Sequence, residues 1–337
     1  MGTHIQANKN GRNYSMDFLK FISSFFIVCI HFEFPGKAGD FIIALSRFAV
    51  PVFFMISGYY AYDDDRERII NKIWRIARMY FSVVVLYFCF NIAVKLFAGQ
   101  YREAVWYVST YLRIRYIVPF VFFNESNTAM HLWFLGALIY SYVIQLITVK
   151  FNVKDGITYV LSGVLLLIHL VAGFLFCVYG TQLPAFLLKN YVLRNFLFMG
   201  FPLFSVGRLI RKNEEFLLMK IKGIHIAIMI VSGIAEAFVI CGVYRERDLF
   251  LGAVLLAFSF FITALKTKDS FYGYRAVALF KTNSCVYLIH VMIGEILSVT
   301  MLEKIRMFLY LKPFIIFAIA LVISLYINAL ALKKRKL

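Results

Sequence analysis

The sequence predicts an all-α integral membrane protein of about ten transmembrane helices, with both termini in the cytoplasm. Three observations carry that expectation. The chain is 62% hydrophobic and 16% charged, with mean hydropathy +0.78, against roughly 45–50% apolar and 25% charged in soluble domains. Apolar runs near the roughly 20 residues that cross hydrocarbon recur from one end to the other. Lysine and arginine concentrate in alternate connecting segments, as cytoplasmic loops require.

The runs lie at 15–33, 41–62, 77–98, 130–149, 156–179, 191–210, 223–243, 249–267, 283–302 and 313–332. The first opens with Asp17 and Lys20 and has no small-residue cleavage site, so it reads as a retained span and not a signal peptide. Residues 1–12 are a polar cytoplasmic tail, and 13–337 form a single membrane domain. The longest loop, 99–129, is rich in Tyr, Trp and Arg and reads as an outer interfacial segment, a lid or collar lying on the membrane. No internal repeat or low-complexity tract is visible.

With the N-terminus inside, cytoplasmic segments hold 22 of the 36 basic residues and outer segments 11. The net charge of +18 is therefore topology and contact with anionic lipid headgroups. Basic residues scattered over many short loops do not form a nucleic-acid surface. Cys29, Cys89, Cys177, Cys241 and Cys285 each sit inside an apolar run. They read as small hydrophobes, with no disulfide framework and no metal site.

Polar residues at membrane depth are costly and so mark function. Lys20 and His31 are eleven residues apart on the first span. That is about three turns, so both side chains share a face about 16 Å apart. Lys20 alone reads equally as a snorkelling anchor. His31 is expected as a neutral buried imidazole towards the outer half. Arg47 enters on the second span ahead of Pro51 and Ser57-Gly58, and a proline kink there argues for a cavity. Helix packing is an equal role for Pro51 and Gly58.

Asp17-Phe18-Leu19-Lys20, the pair Lys20 and His31, the segment Arg47 to Gly58, Trp74-Arg75-Ile76-Ala77-Arg78, His131-Leu132-Trp133-Phe134-Leu135 and Tyr287-Leu288-Ile289-His290 fall in one order along the chain. In that order they resemble acyltransferase family three, bacterial inner-membrane proteins of about ten spans that O-acylate cell-surface carbohydrates. The chain is also similar to the membrane portion of serine/alanine racemases of vancomycin-resistant bacteria, through Phe53 to Tyr60 and an acidic residue at Glu236. A proline common just after the paired arginines is missing, since Arg78 is followed by Met79-Tyr80-Phe81.

The resemblance implies acyl transfer from acetyl-CoA or another acyl-CoA, the donor substrate, across about 30 Å of hydrocarbon. The acceptor it implies is an extracytoplasmic glycan or lipid-linked sugar; membrane lipids are the other partners, with no nucleic acid and no metal. His31, Arg47, Lys20 and Asp17 are the catalytic candidates. His31 is a base for the acceptor hydroxyl or is itself acylated, and Arg47 stabilises the oxyanion. Arg75 and Arg78, with Lys72 and Ser57, are the candidates for holding the CoA phosphates, although ordinary positive-inside anchoring explains the arginines as well. Glu33, Glu236 and His131 are open as orienting partners of His31, and Trp133 and His290 are secondary candidates. His290 and Glu295, five apart, have poor co-facial spacing on a helix. His169 reads as a packing residue, and His4 and His225 have no assigned role. The rival reading is a transporter, for an amino acid such as serine or another small solute, since polar residues at depth also line transport paths. A non-enzymatic membrane partner of a glycan synthase is the third.

Overall fold

The computed structural model describes residues 13–111, 113, 128–179, 190–241, 248–268, 270, 283–298 and 304–334. The expected tail 1–12, Cys177's side chain and most of the loop's second half lie outside them. The described residues are helical, with no strand among them. Among the described residues fourteen α-helices follow in order: α1 Tyr14–His31, α2 Gly36–Ser46, α3 Ala49–Tyr59, α4 Arg66–Phe97, α5 Tyr101–Tyr111, α6 Trp133–Lys150, α7 Asp155–Tyr179, α8 Asn190–Leu193, α9 Phe201–Lys212, α10 Glu214–Lys220, α11 Gly223–Ile240, α12 Leu251–Lys266, α13 Asn283–Ser298 and α14 Arg306–Lys334. Seven helical segments among the described residues are long and apolar enough to cross a membrane: Tyr14–His31, Gly36–Tyr59, Arg66–Phe97, Met130–Lys150, Asp155–Phe176, Gly223–Ile240 and Arg306–Leu330. Leu251–Lys266 and Cys285–Ser298 are shorter apolar helices.

Three departures from the expected runs have local causes. The run 191–210 is not one helix. The Asn195 side chain accepts from the backbone N–H groups of Leu197 and Phe198, a π-helical turn follows at Phe196–Gly200, and Pro202 stands in the first turn of α9. The second run breaks before its proline, between α2 and α3 at Arg47 and Phe48. Pro51 then falls in the first turn of α3, where its missing N–H costs nothing. The expected proline kink is thus a break four residues earlier. Finally, α4 begins at Arg66, well ahead of the expected 77, because Asp65 caps it by accepting from the Arg68 N–H at 2.8 Å.

The fold divides into two compact units. The first comprises Met1–Val52, Glu215–Arg245 and Leu251–Leu337. In it α1 packs against α2, α12, α13 and α14. Asn13 caps α1, accepting from the Met16 N–H at 2.9 Å, and its amide donates to the Ala264 carbonyl at 3.1 Å, which ties α1 to α12. Val28, Val286, Ile293, Ile316 and Ala320 close a buried cluster among α1, α13 and α14. An apolar cavity of about 470 Å³ lies beside α1, lined by Phe18, Ile22, Phe26, Phe48, Phe260 and Ala264 among others.

The second unit comprises Phe53–Glu214 and Glu246–Phe250. Here α4 packs on α5 and α6, and α9 on α6 and α7. Helix α7 exposes Val160, Val164, Leu167, Val171 and Phe174, an apolar face that suits hydrocarbon and not water. The acidic run after α3 holds this unit together at one end. Asp63 accepts from Arg211 Nε at 3.2 Å, Asp64 pairs with Lys72, and Asp65 caps α4. The Tyr59 hydroxyl donates to Glu214 at 2.7 Å, and the Gln145 amide to the Ala61 carbonyl at 2.6 Å.

Cys29, Cys89, Cys241 and Cys285 are free thiols, and no group of potential metal ligands occurs among the described residues.

Candidate functional site

The first unit carries all four catalytic candidates, Asp17, Lys20, His31 and Arg47. Asp17 lies in the first turn of α1, where a carboxylate suits the helix dipole, and accepts from Lys20 Nζ at 3.2 Å. Their side chains are 11% and 27% exposed, so the ammonium is held against α1 by a carboxylate one turn back. At 100° per residue the cavity-lining Phe18, Ile22 and Phe26 fall opposite the Lys20–His31 stripe. The cavity and the polar stripe therefore belong to opposite faces of α1.

His31 is the last residue of α1, and the chain leaves it in extended conformation at Phe32, φ −130°. It is exposed, which corrects the expectation of a buried imidazole: the helix ends here, and no further turn covers the ring. The ring contacts that of His290 on α13, with centroids 5.2 Å apart and planes at 49°. His290 is fully buried. Its Nδ1 lies 2.8 Å from the Tyr287 carbonyl and 3.2 Å from the Val286 carbonyl. Two acceptors assign the proton to Nδ1 in the neutral ring and make Nε2 the acceptor nitrogen.

Neighbouring groups hold this contact in place. Phe32 packs edge-on to His290 at 6.5 Å, and Lys312 at the start of α14 stands over the Phe32 ring at 5.3 Å. A Cβ on Gly294 would come within 1.8 Å of the Phe32 ring, so the glycine is what lets the end of α1 lie on α13. Neither Gly294 nor Lys312 was singled out in the sequence. A glycine one turn beyond His290 is the signal that was there to use.

Of the remaining candidates in this unit, Arg47 is half-buried at the C-cap of α2, donating its backbone N–H to the Ala44 carbonyl. Glu33 is exposed two residues beyond His31. Glu236 accepts from the Gly252 N–H at 2.6 Å, so its carboxylate serves the N-terminus of α12.

In the second unit Arg75 and Arg78 are exposed on α4, and neither has a carboxylate partner among the described residues. Arg78 Nε reaches only the Trp74 carbonyl, at 3.4 Å. Lys72 differs: besides Asp64 it donates to the Tyr60 carbonyl at 3.0 Å and lies over the Tyr142 ring. The Ser57 hydroxyl donates to the Phe53 carbonyl of its own helix at 2.8 Å. His131 is buried in a 3₁₀ turn, edge-on to Tyr87 at 5.0 Å. Trp133 takes the Arg194 guanidinium over its ring at 5.8 Å. At the opposite end of α9, a hydrogen bond from Lys212 to Asp155 at 2.8 Å raises the lysine above its ordinary range and keeps it charged.

The family model described as an acyltransferase domain, that of acyltransferase family three, matches residues 13–333. No curated protein and no solved structure matches the chain.

Proposed function

Because the chain belongs to acyltransferase family three and is a multi-pass membrane acyltransferase, we propose that it moves an acyl group, acetyl in the first instance, from cytosolic acyl-CoA to a hydroxyl of a cell-surface carbohydrate or lipid-linked glycan. Its place is the bacterial cytoplasmic membrane, with both termini inside. The observation that supports this reading best is the contact between the rings of His31 and His290.

The chemistry needs a base that takes the acceptor hydroxyl's proton as the oxygen attacks the thioester carbonyl. His31 supplies it: exposed, it meets the acceptor, and its proton passes to the thiolate of CoA as the carbon–sulfur bond breaks. His290, with Nδ1 committed to two carbonyls, packs against that ring and fixes its position. The guanidinium of Arg47 stabilises the oxyanion, where low dielectric makes a fixed charge effective. Arg75 and Arg78 hold the CoA phosphates, for which exposed arginines without carboxylate partners are suited.

The test is to supply CoA charged with labelled acetyl groups to the cytosolic side of sealed membranes carrying the chain. Label is expected on envelope carbohydrate. Label that stays on CoA, while the same membranes take up an amino acid only when the chain is present, would transfer the reading to a transporter.

A further inference from the structure

Arg208 is 6% exposed, one turn from the end of α9. Its Nη2 lies 3.6 Å from Asp155 of α7, and its guanidinium sits over the Tyr62 ring at 5.9 Å. Its Nε and Nη1 have no hydrogen-bond partner among the described residues, nor has the hydroxyl of Tyr159 one turn along α7 from Asp155. Lys212 joins the same group, with its ammonium over the Tyr159 ring at 5.6 Å and bonded to Asp155. Buried donors in folded proteins are almost always satisfied. Here several go unused in one place, and two cations share a single carboxylate, which leaves a net positive charge.

We propose that Arg208, Tyr159 and Lys212 form a binding site for a phosphate group, brought either by coenzyme A or by an anionic lipid headgroup. A phosphate monoester offers three non-bridging oxygens, enough to accept from the guanidinium, the phenol and the ammonium together, and a lipid phosphodiester offers two, each able to accept more than one of these donors. Asp155 faces the site, but its charge is already shared between Arg208 and Lys212. Only the coenzyme A source rests on the acyl-transfer reading; the site itself does not.

The full chain, purified and stripped of lipid, tests this by the rise in its thermal midpoint on ligand addition. The probes are inorganic phosphate against chloride at equal ionic strength, CoA, dephospho-CoA, and mixed micelles with and without phosphatidylglycerol. At least one phosphate-bearing probe is expected to stabilise the wild type where chloride does not. Tyr159→Phe, which removes only a hydroxyl, and Arg208→Lys should each weaken that probe's apparent affinity about tenfold or more. A preference for CoA over dephospho-CoA assigns the site to the coenzyme's 3′-phosphate, and a response to phosphatidylglycerol alone assigns it to lipid. Absence of stabilisation by every probe, or stabilisation undiminished in both variants, would overturn the proposal.

Discussion

Among single residues, some side chains are placed for chemistry and others are held in structural bonds. Ser57 donates to its own helix, so Ser57→Ala should leave transfer and CoA affinity within about twofold of wild type, the small change expected when a local bond of under ~1 kcal/mol is lost. Arg47→Lys should keep only part of the activity in the same transfer assay, because an ammonium lacks the planar fork of donors. Gly294→Ala must displace the Phe32 ring beside His290. Transfer should therefore fall while CoA binding and membrane insertion hold. Much of this site was legible in the sequence: Asp17, Lys20 and His31 share one short segment, and helical spacing alone aligns them. The partner of His31 was not. His290 stands 259 residues away, and no periodicity relates two helices joined by so many spans. Nor was the exposure of His31, which depends on where α1 ends.

At the scale of elements, α3 and α9 meet backbone to backbone. A Cβ on Gly58 would lie 1.8 Å from the Phe204 carbonyl oxygen, and one on Gly207 would lie 1.9 Å from that of Met55. Small residues allow such approach between membrane helices. Gly58→Ala or Gly207→Ala should each destabilise the second unit by about 1–3 kcal/mol, seen as a lower thermal midpoint of the purified chain. Lys72 gives a sharper contrast. Its ammonium already binds Asp64 and the Tyr60 carbonyl, whereas Arg75 and Arg78 are exposed. Lys72→Ala should lower stability and change CoA affinity less than Arg75→Ala or Arg78→Ala, each expected to cost about 1.5–3 kcal/mol of CoA binding. Equal losses in all three would make Lys72 a phosphate ligand after all. Hydropathy shows where helices run but not where they stop. Asn195, Asp65 and the break at Arg47 and Phe48 are decided by single hydrogen bonds and turns that a twenty-residue average smooths away.

For the whole molecule, composition together with recurring apolar runs of about 20 residues points to a helical membrane protein. With 62% of residues hydrophobic and no water at depth, backbone groups are satisfied inside each helix. Orientation rests on the two-to-one excess of Lys and Arg in alternate segments. A reporter joined after Leu337 should therefore read cytoplasmic, and one within 99–129 should read outside. In the proposed mechanism an acyl group passes to its acceptor with His31 as the base. The most direct measurement is transfer of labelled acetyl from CoA to envelope carbohydrate by membranes carrying His31→Ala beside wild type, with CoA binding measured in the same preparations. The expected result is a loss of at least about a hundredfold in transfer with CoA binding unchanged; wild-type transfer by His31→Ala would rule out His31 as the base.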